Sequence, residues 1–351
     1  AGASRPPAER TLYYRHMKLR EMKATWKKVG ATAVVEHGAN PGLVSHLVKK
    51  SMVDIATRAI KDGIADAGVE KALEADAYNE LAQHLGIKVI HIAERDTQVT
   101  DKPKQLNEFV NTWSVEGFYE EGIAPAELGW GTHEKLLPPN AYEHKTGPKN
   151  QILMAQPGAT TWVRSWVPNC ETTGMVVRHG EAFTLSDHLT VWQGETAIYR
   201  PTVHYAYCPS NEAIVSMREL EMRQWDLTPN QRIMNDEITD GEDRLGVLLM
   251  GHAYKSWWTG SLLNIHDSRK LVPNQSATTV QVGSAVFAAV AWIMANPNKG
   301  LLVPDDMPWR EVLPYAEKYW GGFHSEAADW DPLQTRNDLY AGWNNRKYDT
   351  S

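Results

Sequence analysis

ATAVVEHGANPGLVSHLVKK, residues 31–50, reads as a strand, a turn and a helix in immediate succession. The run ATAVVE (31–36) sets two valines between Gly30 and Gly38 and predicts a buried strand. The turn is HGANPG. Asn40 precedes Pro41, which pushes its backbone away from the helical region. Pro41 suits the first turn of a helix, where a missing N–H costs nothing. Leu43, Val44, Leu47, Val48 and Met52 then form an apolar stripe that predicts a helix over 43–60. Strand, turn and helix in this order are the local pattern of an α/β unit.

Working outward, residues 11–28 predict a helix ended by Gly30. Residues 69–85 predict another helix, and 87–96 and 108–115 predict strands. A Gly-rich stretch follows to Gly131, and 138–149 reads as a loop or domain edge. Between 151 and 207, β-like runs recur at hairpin spacing: QILMA, TWVRSWV, GMVVRHGEAFTL, HLTVWQG and TAIYRPTVHYAY. They predict an open, largely antiparallel sheet. A helix is expected over 211–222, strands over 245–252 and 256–265, and an almost wholly apolar helix over 279–295. The fold class is therefore α/β, with an α+β domain built on that sheet.

Composition narrows the function. The 351 residues carry 36 Lys and Arg against 43 Asp and Glu, a formal charge of −7. Nucleic-acid binders concentrate the opposite sign, so nucleic acid is not the expected partner. Cys170 and Cys208 are the only cysteines, too few for a disulfide framework, which favours a reducing, cytoplasmic compartment. Thirteen histidines include no H-E-x-x-H, and no Cys/His cluster has zinc spacing, so no metal is expected. The polar N-terminus has no apolar signal region, and no apolar run is expected to span a membrane. Fourteen tryptophans against five phenylalanines leave room for an indole to face a cation.

Several residues carry possible chemistry. Asn40 is either an ordinary turn residue or a carboxamide that hydrogen-bonds an amine or a nicotinamide amide; a helix N-terminus beside it would favour a cofactor phosphate. Glu94 shares a strand face with Ile90 and Ile92, so it should be partly buried and should meet a cation. That cation is a neighbouring Lys or Arg or a substrate ammonium; Arg95, on the other face, is a poor candidate. Trp113 is a core indole or a cation-binding one. Glu121 falls in an expected loop. His179 and Glu181, at i and i+2 of an expected strand, share a face and suit proton transfer or a plain surface pair. Asp243 precedes an apolar strand, as a turn residue or a further acid in a pocket. Acids, an indole and a His together suit a flexible dication better than an amino acid, which would need an Arg clamp.

HGANPGLVS (37–45), HIAERDTQ (91–98), NTWSVEGF (111–118), AELGWGT (126–132) and YRPTVHYAY (199–207) together resemble bacterial homospermidine synthase. That family is related to saccharopine reductase and carboxynorspermidine dehydrogenase. The resemblance runs from about residue 11 to about residue 298, and it implies an NAD-dependent condensation of two putrescines into homospermidine with release of ammonia. It assigns Asn40 and Pro41 to the nicotinamide, Glu94 and Trp113 to the reacting amine, and His179 and Glu181 to proton handling. Glu121 and Asp243 would bind the substrate. No G-x-G-x-x-G fingerprint occurs in the sequence. The resemblance thus implies that the chain starts after most of a Rossmann segment. Residues 1–42 would close that segment, 43–273 would form the substrate and dimerisation domain, and 274–351 would return to the Rossmann part and form a tail. One face of the 279–295 helix should then lie open or under another chain. A homodimer is expected, or a separate Rossmann-domain chain. The alternatives are a carboxynorspermidine- or saccharopine-type dehydrogenase, and a non-catalytic polyamine-binding half.

Overall fold

Ten strands join in one mixed sheet in this computed structural model, which describes residues 5–333. The main path runs His324–Ala328, Ser256–Asn264, Glu242–Met250, Val89–Asp96, Thr202–Cys208, Pro125–Gly129, Gln151–Pro157 and Ala141–Glu143. The hairpin of Trp162–Val167 and Cys170–Met175 joins alongside Thr202–Cys208. Neighbours are antiparallel throughout, except that Val89–Asp96 and Thr202–Cys208 run parallel. The largely antiparallel expectation holds, and the parallel pair lies at the centre of the sheet.

The helix of the opening stretch spans Leu43–Lys61 and packs across the sheet. Its stripe Leu43, Val44, Leu47, Val48, Met52 and Ile55 is fully buried. Each such side chain contributes roughly 1.5–3 kcal/mol by leaving water. Pro41 does not open this helix as expected. The Asn40–Pro41 peptide is cis, Pro41 stays in the turn, and Gly42 precedes the helix with φ 134°. A Cβ at Gly42 would lie 2.3 Å from the Gly38 carbonyl, so only glycine fits this corner. The strand of the same stretch is shorter and wetter than predicted. Only Ala33–Val34 pairs, in parallel, with Leu301–Leu302, and residues 33–36 stay partly exposed. A two-stranded ladder leaves one edge of this strand unpaired, and Val34 is only partly buried against the core.

The expected 69–85 helix is two, Ala67–Glu74 and Tyr78–Leu85, broken at Asp76 with φ 50°. The expected 108–115 strand stops at Asn111, and a new helix, Val115–Ile123, starts after the cap Ser114. The apolar helix spans Ala277–Ala295. By length and composition it could cross a membrane, contrary to the expectation that no run reaches that length. Half of it is packed inside the protein, where Gln281 and Ser284 hydrogen-bond within the core. Its other side is open as expected: Val286, Phe287, Val290 and Met294 are 44–77% exposed. Residues 1–4 and 334–351 of the expected outer segments lie outside the described residues.

Candidate active site

Alternation along two parallel strands builds the site. Residues 92, 94 and 96 of Val89–Asp96 share one face, and the register Ile92↔Tyr205 and Glu94↔Tyr207 sets two tyrosines beside them. On the antiparallel side Asp243 lies opposite Asp96. Glu94, Asp96 and Asp243 are each at most 2% exposed. Among the described residues no Lys or Arg hydrogen-bonds any of the three side chains. Glu94 instead accepts from the Asn40 amide at 2.8 Å and from the Tyr205 hydroxyl. The expectation of a protein cation at Glu94 therefore fails, and neutral donors take that place. Arg95 is spent elsewhere, on the carbonyls of Asp96 and Pro209. Burial pushes Glu94 up to about 7, against the pull of its two donors. Burial also raises Asp96 and raises Asp243 well above the usual carboxylate range.

Aromatic rings wall this face. Tyr205 and Tyr207 stack with centroids 5.2 Å apart. The Trp113 indole donates to the Tyr207 hydroxyl at 2.8 Å, which fixes its plane. Trp113 lies after the strand rather than in it, held where Ser114 caps the next helix through the Gly117 N–H. Gly117 lets the indole in, since a Cβ there would come within 2.9 Å of its ring.

That helix corrects the place of Glu121. It lies on Val115–Ile123, not in a loop, and its carboxylate meets His179 Nε2 at 3.2 Å. His179 and Glu181 are not on a strand either. The strand ends at Met175; His179 follows in a connection, and Glu181 is the first residue of helix Glu181–His188. Gly180 makes the corner close against the Glu36 carboxylate. The pair still meets, His179 Nδ1 to Glu181 Oε2 at 3.4 Å, through a helix start rather than a shared strand face. Burial disfavours a charged His179, but Glu121 and Glu181 outweigh it and push the imidazole up to about 10. At neutral pH the ring is an imidazolium that lies tilted against Tyr205, with centroids 4.3 Å apart and planes 48° apart. Burial raises Glu181 above its usual range.

Beside the Asn40 turn lies a cavity of about 300 Å³ lined by Asn40, Pro41, Glu121 and His179 together with Glu36, Arg15 and Arg178. Asn40, Glu94 and His179 converge around Tyr205, and Glu121 and Glu181 bracket His179. Trp113 and Asp243 lie further along the same face. Sequence reasoning missed Asp96, Tyr205 and Tyr207. Strand parity carried part of the signal, since Asp96 is two residues from Glu94 and Tyr205 and Tyr207 are two apart within TVHYAYC (202–208). Among the described residues no group of three or more His, Cys, Asp and Glu is placed to hold a metal.

Residues 38–322 match the family model of the saccharopine dehydrogenase C-terminal domain. The chain belongs to this family. It is 44% identical over 321 residues to a homospermidine synthase of Mesorhizobium japonicum and 45% identical over 322 residues to that of Blastochloris viridis. Each alignment covers 90% of the chain but only 64% and 65% of those relatives, so the chain spans just under two thirds of their length. The crystal structure of a homospermidine synthase from Legionella pneumophila in complex with NAD superimposes with a TM-score of 0.85. It is 38% identical, over 97% of this chain and 71% of that one. The bacterial homospermidine synthase resemblance is thereby upheld within the saccharopine dehydrogenase C-terminal domain family.

Proposed function

We propose that this chain supplies the substrate-binding part of an NAD-dependent homospermidine synthase, which condenses two putrescines and releases ammonia. One observation carries the reading. Glu94, Asp96 and Asp243 are buried together against Trp113, Tyr205 and Tyr207 without a protein cation bonded to them. Ionised acids in that setting need a positive partner, and a diamine with two ammonium groups is one. The indole and phenol faces suit the same ligand.

The fit to NAD is partial. The Asn40 turn, beside the parallel pair Ala33–Val34 and Leu301–Leu302, offers a polar amide to a nicotinamide, while the sequence holds no glycine fingerprint for a pyrophosphate. NAD, when bound, would take a hydride from the amine-bearing carbon and return it. The chain's own residues do the rest. Glu94 receives an ammonium and, with a value near 7, can hold or release its proton. Asn40 and Tyr205 orient that carboxyl. Trp113 faces the cationic carbon–nitrogen group and excludes water. His179, held protonated with one ring nitrogen toward Glu121 and the other toward Glu181, positions the Glu121 carboxylate at the cavity.

Arg178, which lines the same opening, donates to the Arg10 carbonyl and lies near Glu127, so it is not placed as a clamp for a substrate carboxylate. Arg15 also lines that opening, so the reading against a carboxynorspermidine- or saccharopine-type substrate is supported by the homospermidine synthase relatives rather than by the arginines. We also read the enzyme as a cytoplasmic homodimer, which light scattering of the purified protein tests. Full-length protein incubated with NAD and putrescine should yield homospermidine and ammonia in equal amounts with no net NADH. Net NADH without a condensed amine would make it a dehydrogenase.

A further inference from the structure

Asp96 and Asp243 are directly opposed on neighbouring antiparallel strands. Their side chains leave the same face, with Cβ atoms about 4.5–5.5 Å apart in such a pair. Both are fully buried. Their hydrogen bonding differs. Asp96 accepts from Thr112 Oγ1 at 2.5 Å, from the Gln98 backbone N–H at 2.8 Å and from Gln98 Nε2 at 3.1 Å. Asp243 accepts only from Thr278 Oγ1 at 2.6 Å, and its Oδ1 has no partner. Gln98 ties the two together, since its Nε2 also reaches Thr278 Oγ1 at 3.1 Å.

Three donors stabilise the anion of Asp96, and one stabilises that of Asp243. Two carboxylates so close in a dry site do not both ionise, so the better-served one carries the charge. The groups around the pair do not reverse this. Glu94 and Tyr207 add no positive charge from the neighbouring strands, and helix Ala277–Ala295 presents only Thr278 and Gln281. Arg95 acts on both acids from the opposite face, and His179 acts on Glu94.

We propose that Asp96 is a positioning residue for amine binding: held as the anion by Thr112 and Gln98, it keeps a proton on Asp243 until an ammonium arrives. The ammonium then docks on Asp243 Oδ1, and the proton leaves to water. The balance is one ammonium in and one proton out, with no bond formed in the amine. The inference rests on the amine-binding reading above and adds a residue that strand parity alone did not single out.

The test is calorimetry of the full-length protein with putrescine, in phosphate and in Tris, across pH 6–9. Two buffers of different ionisation enthalpy give the protons released per amine. Wild-type protein should release protons at neutral pH. Asp96→Asn is close to isosteric and should release up to one fewer per amine, with the pH midpoint of binding lowered by about a unit or more, because Asp243 is then ionised before the amine arrives. Asp243→Asn removes the docking carboxylate itself and should weaken putrescine binding tenfold or more at every pH. Thr112→Val removes one donor from Asp96 without touching either acid, and should move the midpoint the same way by less; it serves if Asp96→Asn fails to fold. An unchanged proton count and midpoint in Asp96→Asn or Thr112→Val overturns the proposal while leaving amine binding intact. Wild-type protein that binds no putrescine overturns the amine reading and this inference together.

Discussion

The two ends of helix Ala277–Ala295 meet opposite kinds of surroundings. Its first turn is buried among polar groups: Ser276 caps it, Ala277 N–H donates to Gln98, and Thr278 donates to Asp243. Its last turns carry Val286, Phe287, Val290 and Met294 into the open, beside the short parallel pair Ala33–Val34 and Leu301–Leu302. One end is a buried polar network, which is costly unless a ligand completes it. The other is an exposed apolar stripe, which is costly unless more protein completes it. The helix thus joins a buried acidic cluster to an exposed apolar stripe, and the two ends should respond differently to mutation.

The largest effect is expected where the buried charges meet. His179→Ala strips Glu121 and the fully buried Glu181 of their shared counter-charge and should destabilise the fold by about 3–5 kcal/mol in urea. If the loss is under about 1 kcal/mol, the buried side of the comparison is wrong. Thr278→Val removes the only donor to Asp243 at the helix start, and should cost about 1–3 kcal/mol. The pH dependence gives a third break point. Glu94 has a folded value raised to about 7, so its contribution to stability is fully present below pH 4.5 and is lost as pH rises through 7. Amine affinity should run the other way and strengthen as pH rises through 7, while Glu94→Gln removes the Glu94 part of that dependence and leaves the part due to Asp243; a wild-type profile flat from pH 6 to 8 contradicts the assignment. The smallest effect belongs to the open end. Val290→Glu should change the stability of this chain by less than about 0.5 kcal/mol, since it adds polarity to a half-exposed position. The same change in the full-length protein should weaken its stability measurably if another domain covers that stripe.

The sequence made the ends of this comparison legible to different degrees. The 31–50 stretch gave the turn and the helix, because the glycines, the proline and the apolar stripe all act locally. It overstated the strand, because burial depends on distant partners, and Val34 finds only Leu302. Glu94 was legible through parity with Ile90 and Ile92. Asp96 lies on the same face and passed unnoticed, since only the cross-strand register to Asp243 shows its use. Tyr205 and Tyr207 were inside a quoted peptide, yet their role needs the parallel pairing with Val89–Asp96. His179 and Glu181 were paired for the wrong geometric reason. Valines before them suggested a strand, and the turn at Gly180 against Glu36 decided otherwise. Glu121 was misplaced because two glycines concealed a helix whose start Ser114 fixes. Local signals were read well, and contacts over long sequence separation were not.

The buried acids on the sheet face are proposed to bind a diamine. The direct measurement is putrescine binding by calorimetry to the full-length wild-type protein and to Glu94→Gln at pH 8. Wild-type protein should bind, and the variant should lose tenfold or more in affinity, with the fold intact by circular dichroism. Equal affinity in both proteins would contradict it.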